Sequence, residues 1–210
     1  MTRLLTMSEA SMREAARAVR EGKTIVFPTD TVYGLGCDPF NIDAVQRLMA
    51  IKKRTGAPLP ILVASLERAR QIGSFNAKAE CLARAFWPGA LTLVVPDVSN
   101  LPVEVTGSNG TVGLRVPNRS DTRNLIVQSG GAIVGTSANI SGNPSLTTAK
   151  EVEVELGGTV DLILDGGRAN LGFESTVVAV DADIVQVLRE GAIPSEKVFA
   201  TIALSAGTPE

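Results

Sequence analysis

The sequence of 210 residues contains no histidine, only two cysteines and very few aromatic residues (six Phe, one Tyr and one Trp). Without histidine, the chain cannot build a Ser-His-Asp or Cys-His catalytic unit, use an imidazole general base or bind a metal through imidazole. Cys37 and Cys81 stand 44 positions apart, which matches no metal-binding or redox motif, and two free thiols are typical of a reducing cytosol. Any chemistry must therefore rely on hydroxyls, carboxylates, amines, guanidinium groups and backbone amides.

A strong charge of either sign and a long hydrophobic run are also missing. The net charge is −2, from 20 basic and 22 acidic residues, whereas a dedicated nucleic-acid binder usually has an excess of basic residues. The N-terminal segment has no apolar core like that of a signal peptide, and no apolar run approaches the about 20 residues that span a bilayer. We therefore expect a cytoplasmic protein without a membrane segment.

What is present fits one globular domain. Hydrophobic residues make up 44% of the chain and charged residues 20%, and the apolar pattern predicts short strands that alternate with helices. A predicted hairpin over Ser175–Val180 and Ile184–Leu188 makes the sheet mixed rather than all-parallel. We predict a single α/β domain over residues 1–204, with a twisted mixed β-sheet and flanking helices, and a loose tail over residues 205–210.

Polar residues mark the starts of several predicted helices. Ser8, Asn41 or Asp43, and Asp121 each precede an apolar stripe at helical spacing, and these residue types often cap helices. We predict that helices begin beside these residues.

One segment is ambiguous between strand and helix. Glu151–Leu156 alternates acidic and apolar residues like a strand, yet Thr148 and Glu151 fit a capping box and Gly157-Gly158 fits a helix end. We predict a helix in this segment.

The first candidate site is the segment Pro28–Gly36, which follows a predicted buried strand over Thr24–Phe27. It brings together the hydroxyls of Thr29 and Thr31 and the carboxylate of Asp30. Loops that leave strand ends in α/β sheets often bind small ligands, although Pro, Asp and Gly are also common in simple turns. Both interpretations stay open from the residues alone.

A basic cluster, Lys52-Lys53-Arg54, ends the predicted second helix. Lys52 follows Val45 by seven positions and therefore continues the apolar face of the helix rather than its solvated face. Cations at a helix C-terminus often only balance the helix dipole, but Lys and Arg side chains directed inward also bind phosphate oxygens.

An arginine interrupts the apolar strand predicted over Thr111–Val116. Arg115 is either an exposed edge residue that discourages strand pairing or an inward-facing residue. In the second case it needs an anionic partner, because an unpaired buried charge is costly.

The densest group of small hydrogen-bonding side chains lies in the segment 135–145, between a short strand and a helix. Ser137, Asn139 and Ser145, together with nearby glycine backbone, are suited to binding a nucleotide or its phosphates. The segment contains no Walker motif, and a polar surface loop is the simpler alternative.

The predicted hairpin brings one hydroxyl and one guanidinium to the same sheet edge. With a turn between Val180 and Ile184, Ser175 and Arg189 lie roughly opposite each other at one end of the hairpin.

Taken in order, these segments resemble the threonylcarbamoyl-AMP synthase family, with its YrdC-like domain. The matching text is PTDTVYGLG, IKKR, FWPGALTLVV, TVGLRVP, TSANISGNPS, ESTVV and VLREG, within about Arg20 to Pro194. The resemblance implies a twisted mixed sheet with flanking helices and a concave, electropositive face. It also implies a nucleotidyltransferase that joins L-threonine, bicarbonate and ATP into threonylcarbamoyl-AMP and pyrophosphate. A partner transferase would then use the product to make threonylcarbamoyladenosine in tRNA.

The same resemblance implies roles for individual residues. Lys52 and Arg54 are expected to be catalytic. The expected L-threonine-binding residues are Thr29, Thr31, Arg115 and Ser175. The expected ATP-binding residues are Lys52, Thr111, Ser137, Asn139, Ser145 and Arg189. Mg²⁺ is expected with ATP, held mostly by phosphates and water, and no protein ligand is assigned to it.

The chain departs from the family pattern after Arg54. The segment Thr55–Leu59 is one residue shorter than the usual motif, and Leu62-Val63 stands in a strand where many members carry a histidine. We therefore assign no threonine contact within residues 55–62.

The implied chemistry agrees with the absence of histidine. The carbamate of threonine is an anionic nucleophile, so the reaction needs positioning and positive charge rather than a side-chain nucleophile. Two alternatives stay open: a module that binds double-stranded RNA or tRNA without catalysis, and a related domain that adenylates carbamate on another substrate. The acidic net charge and the few aromatic residues count against the RNA-binding module.

Overall fold

The computed structural model describes residues 1–53, 58–182 and 184–206. In these ranges the strands are β1 (Arg3–Thr6), β2 (Ile25–Pro28), β3 (Tyr33–Gly36), β4 (Ile61–Val63), β5 (Leu91–Pro96), β6 (Thr111–Arg115), β7 (Ala132–Val134), β8 (Thr136–Ser137), β9 (Leu162–Asp165), β10 (Thr176–Asp181) and β11 (Ile184–Arg189). The helices are α1 (Glu9–Arg20), α2 (Ile42–Ile51), α3 (Leu66–Arg70), α4 (Ala77–Phe86), α5 (Val103–Thr106), α6 (Ser120–Gln128), α7 (Ala149–Leu156) and α8 (Ser195–Ala206). Strands alternate with helices, as predicted for an α/β fold. None of the helices in the described ranges is both long and apolar enough to cross a membrane.

The described strands divide over two mixed sheets, where the sequence predicted one. One sheet has five strands in the order β1-β9-β2-β3-β8, and the other has six in the order β11-β10-β5-β6-β4-β7. The hairpin predicted near the end of the chain is confirmed as the antiparallel pair β10–β11. Sequence reasoning missed three short strands, β1, β3 and β8, which have four, four and two residues.

The helix cap predicted at Ser8 and the capping box predicted at Thr148 and Glu151 are both confirmed, and Ser8 also takes part in a capping box. The side chain of Ser8 accepts a hydrogen bond from the backbone N–H of Ser11 at the start of α1. The side chain of Thr148 accepts one from the N–H of Glu151, and Glu151 reciprocates at the start of α7. The ambiguous segment is therefore a helix.

The cap predicted at Asp121 is wrong. Helix α6 begins one residue earlier, at Ser120, with Arg119 in the cap position and no capping hydrogen bond from its side chain. Asp121 instead lies in the first turn, where a carboxylate interacts favourably with the helix dipole.

The last helix includes two residues that were predicted to belong to the C-terminal tail. Helix α8 continues to Ala206, so residues 205 and 206 are helical. Residues 207–210 lie outside the described part of the chain, and the domain boundary stays a prediction.

The two sheets share one hydrophobic core and approach each other closely. The core contains side chains from both sheets, including Leu35 of β3 and Leu93 of β5. At Gly36, an added Cβ atom would lie 2.3 Å from the carbonyl oxygen of Val134, so only glycine fits. Next to it, the N–H of Val134 donates to the carbonyl of Cys37 at 2.9 Å. This contact joins the two sheets directly.

The two thiols differ in exposure and should differ in reactivity. Burial, helped by the charge of Asp38, raises the pKa of the Cys37 thiol to about 12, whereas Cys81 is partly exposed. Because the thiolate is the reactive form, we expect Ellman's reagent at about pH 8 to modify only Cys81 in the folded protein and both thiols in denaturant. A folded Cys81→Ser variant should not react, and its rapid reaction would contradict the burial of Cys37.

Candidate functional site

A cleft of about 690 Å³ is lined by strands of both sheets. The strands are β3 and β8 of the five-stranded sheet and β4, β5, β6, β10 and β11 of the six-stranded sheet. The predicted site residues in its wall are Thr29, Thr31, Lys52, Thr111, Arg115, Ser137, Asn139, Ser175 and Arg189. Ser145 reaches the cleft through a hydrogen bond to Glu174, which lines it. Arg54 lies outside the described residues.

The turn after β2 holds two buried hydroxyls together at the cleft wall. Thr29 Oγ1 donates to the carbonyl of Val32 at 2.7 Å and lies 2.9 Å from Thr31 Oγ1. Since a hydroxyl has one hydrogen, Thr31 is the donor in the bond between the two threonines. The segment is thus a turn, and it also fixes two hydroxyls at the cleft.

The side chain of Arg115 points into the protein and forms an ion pair with Asp30. Its Nη2 donates to Asp30 Oδ1 at 2.5 Å, its Nη1 to Thr31 Oγ1 at 2.9 Å, and its Nε to the carbonyl of Gly89 at 2.9 Å. The side chains of Arg115 and Asp30 are 6% and 7% exposed. Strand β6 lies between β5 and β4, so Arg115 is not on a sheet edge. The inward-facing alternative is therefore correct.

Opposing effects act on the protonation of Arg115. Burial lowers the pKa of its guanidinium, and the charge and hydrogen bond of Asp30 raise it. The ion pair thus offsets part of the cost of burying a cation beside the cleft.

Lys52 is also buried, as its place on the apolar face of α2 predicted. It follows the last residue of the helix and is 2% exposed. Its Nζ donates to the carbonyl oxygens of Ser137 at 2.6 Å and Asn139 at 2.9 Å, and lies 3.3 Å from Asn139 Oδ1. The ammonium group therefore connects the end of α2 to the segment after β8 and places a positive charge at the cleft.

The segment after β8 is held from its other side by α7. Glu155 Oε1 accepts hydrogen bonds from the N–H of Ile140 at 2.7 Å and from Asn143 Nδ2 at 3.0 Å. Asn139 Nδ2 donates to the carbonyl of Asn143 at 2.5 Å. With Lys52 on one side and Glu155 on the other, this segment is a fixed part of the cleft wall and not a free surface loop.

Ser175 and Arg189 are in contact, as the hairpin predicted. Arg189 Nη2 donates to the carbonyl oxygen of Ser175 at 2.8 Å. The hydroxyl of Ser175 lies 2.8 Å from Oγ1 of Thr92, a buried residue of β5. The hairpin thus places a hydroxyl and a guanidinium in the wall of the cleft.

The residues to which the sequence assigned a ligand did not include Thr92 and Glu174, which line the cleft, or Asp30, which was noted only as part of the first candidate segment and pairs with Arg115. Each lies within a motif that the sequence singled out. In the structure, Asp30 contacts Arg115, Thr92 contacts Ser175 and Glu174 contacts Ser145. The partners stand 85, 83 and 29 positions away. No local pattern identifies such pairs, although the motif around Glu174 could have flagged its carboxylate.

The described residues contain no group of three or more His, Cys, Asp or Glu side chains that could hold a metal ion. The two carboxylates of the site face cations instead, since Asp30 pairs with Arg115 and Glu174 with Arg189. These residues do not form a carboxylate cage for a metal.

The chain matches a known family and curated relatives. The Sua5_yciO_yrdC family model, described as "Telomere recombination", matches residues 17–191. Relatives named threonylcarbamoyl-AMP synthase are 40% identical over 198 residues in Pyrococcus abyssi and 39% identical over 201 residues in Bacillus subtilis. The matches cover 93% and 94% of this chain but 58% of each relative. The chain therefore spans less than two thirds of the length of these relatives.

A solved structure shares the fold. The crystal structure of P. abyssi Sua5 complexed with L-threonine matches with a TM-score of 0.90 at 39% identity. The match covers 96% of this chain and 60% of that chain. Nearly all the elements described above therefore have counterparts in that structure.

Proposed function

Because the chain belongs to the Sua5/YciO/YrdC family, we propose that it is a threonylcarbamoyl-AMP synthase. The reaction joins L-threonine, bicarbonate and ATP into threonylcarbamoyl-AMP and releases pyrophosphate. The observation that carries the proposal is the convergence of Lys52, Arg115 and Arg189 with hydroxyl and amide side chains around one cleft. Small-molecule sites typically measure about 300–1,000 Å³, and this cleft falls within that range.

The reaction brings two anions together, and the cleft supplies the opposing charge. A carbamate oxygen of threonine attacks the α-phosphorus of ATP while the bond from that phosphorus to the pyrophosphate oxygen breaks. The carbamate is already anionic, so no histidine base or side-chain nucleophile is needed. Positioning and electrostatic stabilisation then provide most of the catalysis.

Arg115 is assigned the carboxylate of L-threonine. Of the five N–H donors of an arginine, three are used by Gly89, Thr31 and Asp30, which leaves two for a carboxylate. Asp30, which is not among the residues that line the cleft, binds the same guanidinium. Thr29, Thr31 and Ser175 would then lie beside the amino acid.

The nucleotide is assigned to the wall formed by Thr111, the segment 137–145 and Arg189. Lys52 supports this assignment by holding Ser137 and Asn139 in place and by adding positive charge. Arg54 is assigned to the phosphates from its motif alone.

Mg²⁺ is proposed to arrive with ATP as the counter-ion of its phosphates. In the described residues no carboxylate cage exists for it, so phosphate oxygens and water would be its main ligands. It would neutralise phosphate charge when bound. The downstream tRNA threonylcarbamoyl transferase, contact with tRNA or double-stranded RNA, the electropositive face and the cytoplasmic location stay predictions.

Pyrophosphate release by the purified chain tests this function. We expect release only when L-threonine, bicarbonate and ATP are present together, with threonylcarbamoyl-AMP as the second product. Release that does not depend on threonine would overturn the proposal. Release that serine or carbamoyl phosphate supports better than threonine would indicate a related domain with another substrate.

A further inference from the structure

The carboxylate of Glu174 lies where the side chains assigned to the nucleotide converge. Its Oε1 accepts a hydrogen bond of 2.6 Å from the hydroxyl of Ser145, and its Oε2 pairs with the guanidinium of Arg189. Burial raises the pKa of Glu174, but Ser145, Arg189, Ser137 and Lys52 outweigh it, so the pKa lies below its usual value. The surroundings of this carboxylate therefore favour a negative charge at this point.

The same donors are suited to a phosphate. Hydroxyl, ammonium and guanidinium groups form charge-assisted hydrogen bonds with phosphoryl oxygens as they do with carboxylates. Here the anion that they surround is the chain's own side chain. A nucleotide phosphate that accepted hydrogen bonds from Ser145 and Arg189 would have to occupy the position of the Glu174 carboxylate. The negative charges of the phosphate and the carboxylate would repel each other.

The side chain of Glu174 is able to leave this place while its backbone stays fixed. Its carbonyl oxygen accepts a hydrogen bond of 2.9 Å from the N–H of Ala192. An added Cβ atom at Gly191 would lie 2.3 Å from the same oxygen, so the backbone is closely packed there. The side chain, in contrast, is 32% exposed. Rotation about its own bonds is enough to move the carboxylate into solvent.

We propose that Glu174 is an internal competitor of the nucleotide phosphates. In the ligand-free protein its carboxylate occupies the donors of Ser145 and Arg189, and it rotates away when the phosphates bind. When pyrophosphate leaves, the carboxylate returns to these donors and opposes rebinding. The identity of the anion rests on the proposed ATP-dependent function, whereas the competition itself rests on the contacts of Glu174.

Competition from the Glu174 carboxylate should lower the affinity of the protein for phosphate ligands by a measurable factor. If the carboxylate occupies the donors in about nine of ten molecules, the apparent affinity for the phosphate ligand falls about tenfold. Removal of the Glu174 side chain should therefore raise the affinity about tenfold. A neutral glutamine, which still accepts hydrogen bonds but carries no charge, should restore part of it.

The test is a calorimetric titration of the protein with inorganic pyrophosphate. We expect Glu174→Ala to bind pyrophosphate about tenfold more tightly than the unmodified chain, and Glu174→Gln to lie in between. The matched control is Glu190→Gln, which removes the same charge from the same hairpin. Glu190 holds Ser195 at the start of α8 and does not line the cleft, so this variant should bind pyrophosphate as the unmodified chain does.

Equal or weaker pyrophosphate binding by both Glu174 variants would overturn the inference, because the carboxylate would then hold Arg189 and Ser145 in place rather than compete. The threonine-dependent release assay separates this failure from failure of the proposed function. Threonine-dependent release together with unchanged pyrophosphate affinity would overturn only the competition. If the Glu174 variants bind pyrophosphate more tightly but the unmodified chain shows no threonine-dependent release, the competition is supported and the proposed function is overturned.

Discussion

Replacement of Arg115 with methionine should lower the free energy of unfolding by about 3–5 kcal/mol and abolish threonine-dependent pyrophosphate release. The variant keeps the volume of the side chain but leaves the carboxylate of Asp30, 7% exposed, without its cation. An unpaired buried carboxylate is costly, and the assigned partner of the substrate carboxylate is lost at the same time. Urea unfolding measures the first effect, and the release assay measures the second.

Two further variants identify the cause of the destabilisation. Arg70 forms a partly exposed pair with Glu80, and Arg70→Met should lower the free energy of unfolding much less than Arg115→Met does, since pairs near the surface are screened by water. The double variant Arg115→Met with Asp30→Asn removes both buried charges and should regain part of the stability but none of the activity. If Arg115→Met unfolds at the same urea concentration as Arg70→Met, the buried pair does not have the assigned role in stability.

Replacement of Lys52 with methionine should reduce turnover by about 10²–10³-fold, the usual cost of one electrostatic group at a reacting site. The variant removes a positive charge from the cleft and releases the carbonyl oxygens of Ser137 and Asn139 from their ammonium donor. Because these contacts are buried, we also expect a loss of about 1–3 kcal/mol in the free energy of unfolding, which leaves the variant folded.

The neighbouring lysine gives a matched control for this change. Lys53 follows Lys52 directly and is exposed. Lys53→Met should therefore keep both turnover and the urea midpoint close to those of the unmodified chain. Equal turnover of the Lys52 and Lys53 variants would show that Lys52 has no part in catalysis and serves only as a link between α2 and the segment after β8.

The features that sequence reasoning predicted correctly depend on neighbours along the chain. One example is the capping box of Thr148 and Glu151 at the start of α7, and another is the apolar stripe of α2 that continues to Lys52. Each is a local pattern of a single helix. Such patterns are set by helical periodicity and by end groups, which act over one or two turns. They were sufficient to distinguish helix from strand in the ambiguous segment and to direct Lys52 inward.

The features that were not predicted depend on pairs far apart in the sequence. The division into two sheets is decided by pairings such as β3 with β8, which joins Leu35 to Thr136. The partner of Arg115 also comes from a distant part of the sequence, since Asp30 stands 85 positions away. From the strand pattern alone, an inward-facing Arg115 required an anion, but that anion could be a ligand or a side chain.

The cleft draws its wall from residues between Thr29 and Arg189, so strands that are far apart in the sequence must come together before the wall exists. Contacts at such sequence separation form late in folding, because long loops must close first. During synthesis, a nascent chain has to extend past β11 before it holds a site for substrate. For the same reason, a ligand in the cleft stabilises the entire domain against unfolding and not one segment of it.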